Sequence, residues 1–323
     1  MATAENAKLQ YEAGQTSTAM SALTNSGDET TYTSAATLWS KRSGYTPVVR
    51  PNGLLTGGAI TPNASNDTVN VAALTLNLNG VVTSVSAGTA SVTRGVSTDT
   101  HNITSITINS SGAIAAVSGT DGTAFSETRG AAGGPPLIAV DSVEIGQVRT
   151  TTTSAAAVAA SEIFQVVGTH TERADYPLYN VNYGEGTVTF LAALPEIHTG
   201  PATKAVYASY SAPIFSDVQL ASDFVPPETS NSVTSTQIYG TTLGATSSTL
   251  NQGSFTAYLE DGVSDGLVLL KNQDLWFKFY PDRYKSPYLL TQGKLGIART
   301  FPAGDNIQAA CTISATATAT EVN

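Results

Sequence analysis

Charged side chains are scarce in this 323-residue chain, since Asp, Glu, Lys and Arg together make up 12% of it. Globular proteins usually carry about twice that share. Acidic residues outnumber basic ones by 25 to 15, which gives a formal net charge of −10. Proteins that hold DNA or RNA normally present a basic stripe to the phosphates. The charge balance therefore argues against a nucleic-acid-binding protein.

Cysteine and long apolar runs are also rare. Cys311 is the only cysteine, so no disulfide can form within the chain. No stretch has the length and apolarity of a membrane span. The N-terminal MATAENAKLQYEAG lacks the basic start and apolar centre of a secretory signal. We therefore expect no disulfide, no membrane segment and no secretory signal.

Sequence motifs of catalysis and cofactor binding are missing as well. There is neither a Gly-x-Ser-x-Gly elbow nor a phosphate-binding loop with Lys-Ser or Lys-Thr. His101, His170 and His198 lack a ligand-spaced second His or Cys, which favours surface histidines in turns, although folding could still pair one with a carboxylate. The segment 261–266, DGVSDG, resembles part of a calcium loop, but Val263 replaces an oxygen donor, which favours a tight turn. We predict no enzyme, metal or cofactor.

Small uncharged residues in an alternating pattern take the place of the missing charges. In the segment 301–320, FPAGDNIQAACTISATATAT, apolar and polar side chains alternate after a turn-like Pro-Ala-Gly-Asp. Successive side chains of a β-strand point to opposite faces, so the pattern predicts one long strand over 307–320. Cys311 falls on its apolar face, where a small buried thiol is expected. The polar face carries Gln308, Thr312, Ser314, Thr316 and Thr318.

Further alternating segments precede this strand: GSFTAYLEDG from Gly253, DLWFKFYPD from Asp274, and KLGIARTFPAGDN from Lys294. Long alternating strands joined by Gly, Asp and Pro turns indicate an antiparallel sheet. In DLWFKFYPD, Leu275, Phe277 and Phe279 form the face expected to pack in the core. The opposite face is expected to form an interface with another subunit. It carries Trp276, Lys278 and Tyr280.

The middle of the chain contains weaker signals. The segment YNVNYGEGTVTFLAALP predicts a hairpin with its turn at Gly-Glu-Gly. FSDVQLASDF, residues 215–224, is the best helix candidate, with Ser216 as N-cap and two prolines beyond its end. The Thr- and Ala-rich segment 151–167 fits a helix or a strand, with a slight preference for a strand.

An internal repeat lies at a constant offset of 32 residues, between 68–80, TVNVAALTLNLNG, and 100–112, THNITSITINSSG. Each copy predicts a strand, a turn and a second strand. The alternation breaks at 71–74 and at 103–106, which predicts bulges at equivalent places.

These patterns suggest three regions along the chain. We expect residues 1–65 to form an extended N-terminal arm or loop, because they show little periodicity and many turn formers. Residues 66–135 would be an inserted small β-domain of two repeated hairpin units. Residues 136–323 would form the main β-domain.

The order and spacing of GSFTAYLEDG, DLWFKFYPDRY and GKLGIARTFPAGDNIQAACTISATAT resemble the C-terminal part of the major tail tube proteins of tailed bacteriophages. The resemblance is strongest over residues 250–323. It implies a mostly β fold, a tail-tube-like β-sandwich or barrel with one flanking helix. It also implies self-assembly into rings, usually hexameric, that stack into the conduit for DNA ejection.

The resemblance further implies a location and a set of partners. The protein would belong to the virion tail and be assembled in the bacterial host cytoplasm. Its partners would be copies of itself and the terminator, tip or baseplate, and tape measure proteins. DNA would pass through the lumen without specific binding, and no membrane would be involved. The lumen-facing candidates are Gln308, Thr312, Ser314, Thr316 and Thr318.

Two alternatives remain open. A decoration, tail-tip or fibre protein that binds a host receptor or glycan would also fit the repeat and the Ser/Thr-rich strands. A small glycan hydrolase would need a carboxylate pair, for which Glu185 with Glu196 or Asp261 with Asp265 are available. Nothing in the sequence pairs these carboxylates.

Overall fold

The structure is a computed structural model that describes residues 8–199, 204–218, 220–282 and 284–323, with side chains from residue 14 onwards. The chain is mostly β, with 52% of residues in strands and 2% in helices, as predicted. Strands β1 to β12 are Lys8–Ala22, Thr24–Asn25, Thr31–Thr33, Val48–Pro51, Gly53–Gly57, Ile60–Pro62, Thr68–Val71, Leu74–Leu78, Val81–Val85, Gly88–Ser91, Asn102–Ile108 and Ile114–Ser118. Strands β13 to β25 are Val143–Thr150, Ile163–Phe164, Tyr179–Asn182, Thr187–Phe190, Val206–Asp217, Ala221–Val225, Thr229–Ile238, Thr241–Leu250, Gly253–Leu259, Asp274–Tyr280, Tyr288–Thr300, Ile307–Ala315 and Thr320–Val322. The described residues contain one α-helix, α1, at Gly266–Leu269, and one 3-10 turn at Ala160–Glu162.

The chain forms two compact units that differ from the predicted regions. Unit 1 consists of Met1–Ser17, Trp39–Pro47 and Tyr210–Asn323. Unit 2 consists of Thr18–Leu38 and Val48–Ser209. Strands β1 and β17 each contribute residues to both units.

The predicted boundaries at 65 and 135 do not coincide with the limits of these units. Within the predicted arm, residues 8–62 contain strands β1 to β6. The repeat region shares a sheet and a hydrophobic core with residues outside it. Strand β11 pairs along its length with β13, which lies beyond residue 135, and residues from Leu54 to Val158 share one hydrophobic core. Strand β11 therefore obtains its second hydrogen-bonded neighbour, β13, from outside the repeat.

Unit 1 is built on one antiparallel sheet with the strand order β18-β21-β24-β23-β22-β1-β17. Strand β24 lies between β21 and β23, with Cys311 opposite both Phe255 and Ile297. Alternate side chains of these strands form the core, which includes Phe277 and Ile313. The apolar alternation seen in the sequence thus corresponds to the buried face of this sheet.

The predicted strand over 307–320 is two strands. Strand β24 ends at Ala315, a bend follows, and β25 begins at Thr320. Strand β23 is long enough to pair with β24 over residues 293–300 and with β25 over residues 288–290. The bend lets the chain change register while it keeps the same neighbouring strand, and sequence alternation alone does not reveal such a step.

The predicted helix at 215–224 is wrong. Strand β17 runs on to Asp217 and includes Ser216, the proposed N-cap, and β18 follows at Ala221–Val225. Ala221 pairs with Ala257 of β21, so sheet pairing overrides the weak local helix signal. Gln219 lies outside the described residues.

Unit 2 contains several small sheets, in the orders β10-β7-β6, β5-β8-β9, β12-β11-β13-β14 and β15-β16-β3-β2. Strands β15 and β16 form the hairpin predicted at Gly-Glu-Gly. In the segment 151–167, the only regular elements are the 3-10 turn and the two-residue strand β14.

The repeat forms the two predicted hairpins, β8-β9 and β11-β12. Their turns contain Gly80 and Gly112 with φ of 78° and 79°, a left-handed conformation that favours glycine. The predicted equivalent bulges are wrong. The first copy breaks into β7 and β8, whereas in the second copy β11 is continuous and shifts register against β13 between Ile106 and Thr107.

Candidate functional site

The lumen-facing candidates lie on the face of β24 opposite the core and in the segment that follows it. Thr312 and Ser314 are exposed on β24, and Thr316 and Thr318 are exposed after its end. Gln308 is half-buried. This face is therefore open to solvent in the single chain and consists of small hydroxyl side chains.

The neighbouring strand keeps this face flat. Gly296 of β23 pairs with Thr312, and a Cβ at Gly296 would collide with the Thr312 hydroxyl. Both edges of β24 are occupied, by β21 and by β23. Strand β24 consequently has few free backbone groups, confined to its last residues, with which to join another subunit.

The predicted interface residue Trp276 is buried, which conflicts with that role. It is 6% exposed, and its indole N–H donates a hydrogen bond of 2.9 Å to the carbonyl oxygen of Trp39. Trp39 is itself fully buried and stacks on Tyr210 with ring centroids 4.8 Å apart. Trp39 lies in a region whose polar sequence gave no sign of this role.

The other two interface candidates also pack within unit 1. The ammonium of Lys278 lies 4.2 Å from the ring centre of Phe215 and 4.8 Å from that of Tyr288. Burial lowers the pKa of Lys278. The Tyr280 ring is half-buried and lies 5.2 Å from that of Tyr288. Only part of each side chain remains accessible.

A surface that the sequence analysis missed is the hairpin of β19 and β20, residues 229–250. The two strands pair over their whole length, from Thr229 with Leu250 to Ile238 with Thr241. Every residue from 229 to 249 is exposed, and the hairpin contains no charged residue. Ten residues of strand span about 33 Å, so this is a long two-stranded ribbon with two free edges.

Apolar side chains concentrate near the tip of this hairpin. Ile238, Tyr239 and Leu243 are large hydrophobic residues exposed there, and Tyr239 is fully exposed. Ile238 and Leu243 lie on the same face, because Leu243 pairs with Thr236 and side chains two residues apart share a face. Monomeric proteins usually protect long sheet edges with charges, prolines or bulges. This hairpin has none of the three and is therefore suited to pairing with another chain.

Unit 2 buries a group of charged side chains. Glu144 is 1% exposed and forms an ion pair with Arg129. Its other carboxylate oxygen accepts hydrogen bonds from the Ser105 hydroxyl at 2.5 Å and the Gln147 amide at 3.2 Å. Burial raises the pKa of Glu144, while Arg129 and Ser105 favour its charged form. The partners therefore offset only part of the cost of burying the carboxylate.

Removal of Arg129 should destabilise unit 2. We expect Arg129→Met to lower the free energy of unfolding by roughly 3 kcal/mol, because it leaves Glu144 charged and buried without its partner. Arg173→Met is the matched control. It breaks the more exposed pair of Arg173 with Asp175, which should cost about 1 kcal/mol or less. Urea unfolding followed by circular dichroism measures both, and equal losses would contradict the assigned role of the Arg129 pair.

A cavity of about 160 Å³ lies beside this cluster. Two further buried charged residues line it, Glu172 at 6% exposure and Lys204 at 3%. Glu172 Oε2 accepts a hydrogen bond of 2.7 Å from the backbone N–H of Glu144, whereas its Oε1 has no hydrogen-bond partner among the residues that the structure describes. The Lys204 ammonium donates to the carbonyl oxygen of Arg173 at 2.6 Å.

Burial shifts both groups towards their neutral forms. It raises the pKa of Glu172 to about 7 and lowers the pKa of Lys204 to about 8. Between about pH 4.5 and pH 7, the folded protein holds a proton on Glu172 that the unfolded chain has lost. The free energy of unfolding therefore decreases as pH rises through this window. The lowered pKa of Lys204 has the opposite effect. The free energy of unfolding increases as pH rises from about 8 to 10.5, because the unfolded chain keeps a proton on Lys204 that the folded protein has lost.

The variant Glu172→Gln should remove the decrease in unfolding free energy between about pH 4.5 and pH 7. One pKa unit corresponds to about 1.4 kcal/mol, so wild type should lose on the order of 3 kcal/mol relative to the variant between pH 4.5 and pH 8. Unfolding free energies measured across this range test the prediction. Glu185→Gln, which removes an exposed carboxyl group, is the matched control. Parallel wild-type and Glu172→Gln curves would exclude a carboxyl group with a raised pKa.

The histidines are placed differently from the prediction. His170 and His198 are buried, at 7% and 2% exposure, instead of lying on the surface. His198 Nε2 lies 3.3 Å from the Ser142 carbonyl oxygen, and His170 packs against Phe164. His101 is half-buried and contacts Phe125 edge-on. Each ring has a packing role.

The segment 261–266 forms a turn. The Asp261 carboxylate accepts backbone N–H groups of Val263 and Ser264, and Asp265 accepts those of Glu260 and Gly262. Within the described ranges, no group of three His, Cys, Asp or Glu side chains is placed to hold a metal ion.

Comparison with protein-family models finds no match, and comparisons with curated proteins and with solved structures find no significant similarity. Among the residues that the structure describes, no helix has the length and apolarity needed to cross a membrane.

Proposed function

We propose that this protein is a virion structural protein, a subunit of a bacteriophage tail tube that assembles into stacked rings. The observation that carries the proposal is the hairpin at 229–250, which is exposed, uncharged and free along both edges. A long ribbon with these properties is a template for pairing with another chain. Copies of the same chain are the proposed partner, in agreement with the resemblance of residues 250–323.

The outer face of the unit 1 sheet supports a role as a channel lining. Thr312, Ser314 and Gly296 form its flat central part, with Lys294 as a neighbouring charge. Strong DNA binding requires several Lys or Arg side chains on the phosphates. A surface of hydroxyl groups with few basic residues, among them Lys278 and Lys294, would let DNA pass without holding it.

The proposal extends to location and partners. The subunit would lie in the virion tail after assembly in the bacterial cytoplasm. It would contact copies of itself within and between rings, and the terminator, tip or baseplate, and tape measure proteins. The ring contacts would come from the hairpin and other sheet edges, since β24 is already paired on both sides.

Negative-stain electron microscopy of the purified protein, combined with light scattering after size-exclusion chromatography, tests the proposal. We expect rings or tubes with an open lumen. A protein that remains monomeric at high concentration, without rings or tubes, would overturn the assignment.

A second candidate is a decoration, tail-tip or fibre protein that binds a receptor or glycan, which the cavity in unit 2 favours. The number of copies in each virion distinguishes the two candidates. A tube subunit is among the most abundant virion proteins, whereas a tip protein is among the rarest.

A further inference from the structure

We propose that the hairpin tip of one copy docks on unit 2 of a neighbouring copy, with the Tyr239 ring inserted in the cavity beside Tyr176. The inference deepens the proposed function, and it rests on the hairpin being a contact between copies of this chain.

The hairpin needs a packing partner that its own chain does not supply. Every residue from 229 to 249 is exposed, and the Tyr239 ring at the turn is fully exposed. A two-stranded hairpin without packing partners is only marginally stable in water. Burial of the large apolar side chains at its tip would be favourable. The tip is therefore expected to pack on another molecule.

Unit 2 exposes a group of large apolar side chains beside the cavity. Leu178 and Leu191 are 65% and 67% exposed. They lie side by side, because the Leu191 backbone N–H donates a hydrogen bond of 2.8 Å to the Leu178 carbonyl oxygen. Tyr176 is 51% exposed and lines the cavity itself. We call Tyr176, Leu178 and Leu191 the apolar rim. Exposed apolar groups of this kind mark interaction sites.

The cavity has apolar walls that a guest can reach, and it has the size of one aromatic ring. Ala192, Ala193 and Pro195 line the cavity and are exposed. The cavity volume is about 160 Å³, and a cavity of roughly 150 Å³ holds a benzene-sized guest. The Tyr176 ring packs on Gly168, where a Cβ would collide with it. A guest ring would therefore meet an aromatic wall, and aromatic pairs are favourable.

The charges of the two surfaces agree with this pairing. The hairpin contains no charged residue. Arg173 lines the cavity but forms an ion pair of 2.9 Å with Asp175. The other charged residues that line the cavity are buried, namely Glu144, Glu172 and Lys204. An uncharged partner avoids the cost of burying an unpaired charge, and the hairpin tip is such a partner.

The contact would be head-to-tail, because the two surfaces lie at different places on the chain. The tip belongs to unit 1 and the cavity to unit 2. Each copy would insert its tip into one neighbour and receive the tip of another. Beside the inserted ring, Ile238 and Leu243 would pack on the apolar rim. Contacts of this type continue from copy to copy and produce closed rings or open filaments.

Photo-crosslinking of the full chain tests where the tip docks. Tyr239 is replaced by p-benzoyl-L-phenylalanine, and mixing ¹⁵N-labelled with unlabelled protein identifies crosslinks between copies by mass spectrometry. We expect these crosslinks at residues 176–195 of unit 2. The same group at Thr229 should give few crosslinks there, because the base of the hairpin lies about 30 Å from the tip.

Two variants test the head-to-tail contact. Tyr239→Ala removes the inserted ring, and Ala193→Trp fills the cavity of the chain that carries it. Each should raise the protein concentration required for assembly about tenfold or more. An equimolar mixture should form a one-to-one dimer where each variant alone is monomeric, because the intact tip of one chain fits the intact cavity of the other. Light scattering after size-exclusion chromatography measures the mass.

Ala64→Trp is the matched control, since it places the same side chain at an exposed position of unit 2 that does not line the cavity. It should assemble as wild type does. Circular dichroism should be that of wild type for all three variants, because each changes an exposed side chain.

The inference is overturned if crosslinks from position 239 are absent or fall elsewhere, or if the mixture of variants contains no dimer. Rings or tubes that persist unchanged in Tyr239→Ala and Ala193→Trp would also overturn it, while the proposed function would stand. Crosslinks at 176–195 in a protein that forms only open chains would support this contact and contradict the tail tube assignment.

Discussion

A variant in which Asn-Gly replaces residues 229–250 should fold normally and form neither rings nor tubes. The hairpin makes no contribution to the hydrophobic core of unit 1, so its removal should leave the unfolding temperature within a few degrees of wild type. Assembly should be lost because the free strand edges and the apolar tip are removed together. Electron microscopy and light scattering measure the assembly, and circular dichroism measures the fold.

The structure allows this deletion without strain. The backbone N–H of Asn251 donates a hydrogen bond of 2.9 Å to the carbonyl oxygen of Glu228, so the two ends of the hairpin are already adjacent. Asn-Gly is a favoured two-residue turn between antiparallel strands. Assembly that continues unchanged in this variant would show that the hairpin is not the contact between subunits.

A finer comparison uses the two faces of the hairpin. Ile238→Ser with Leu243→Ser removes the apolar side chains near the tip, and Val233→Ser removes one from the opposite face. We expect the double variant to weaken assembly far more than Val233→Ser does. Equal effects would indicate that backbone pairing along the edges matters more than the tip.

The variant Trp39→Ala should destabilise unit 1 by about 4 kcal/mol. The Trp39 side chain is fully buried and stacks on Tyr210. The backbone carbonyl oxygen of Trp39 accepts a hydrogen bond from the Trp276 indole N–H. Removal of the ring leaves a cavity and exposes Trp276 to water. Because both tryptophans belong to unit 1, the fluorescence of Trp276 in chemical denaturation reports on that unit alone.

Trp39→Phe provides the control for this prediction. It retains an aromatic ring against Tyr210 and should cost roughly half as much. A loss below about 1 kcal/mol for Trp39→Ala would mean that the site collapses around the smaller side chain, or that Trp39 contributes little to unit 1.

Sequence alternation predicted the strands of unit 1 well, because alternation is a direct consequence of one buried and one exposed face. Phe255, Phe277 and Cys311 all lie in the core as the pattern indicates. The same pattern does not show what covers the second face. Trp276 points away from the core of the sheet, yet Trp39, distant in sequence, buries it.

The features of unit 2 were harder to predict for a similar reason. Glu172 and Lys204 look like ordinary surface charges in the sequence, and only the fold brings them to one cavity. The hairpin at 229–250 was missed because its strands have no buried face, so they show no regular apolar alternation.

The single thiol of the chain can report on the transient unfolding of unit 1. Cys311 lies in the core of this unit, and burial raises the pKa of its thiol to about 12. A thiol-specific reagent can therefore modify it only during transient unfolding, so the rate of modification counts those events. Unit 2 has no cysteine, so its transient unfolding is not detected by this reaction. If modification becomes slower when copies of the protein assemble, the decrease in rate would measure how much assembly stabilises unit 1 against unfolding.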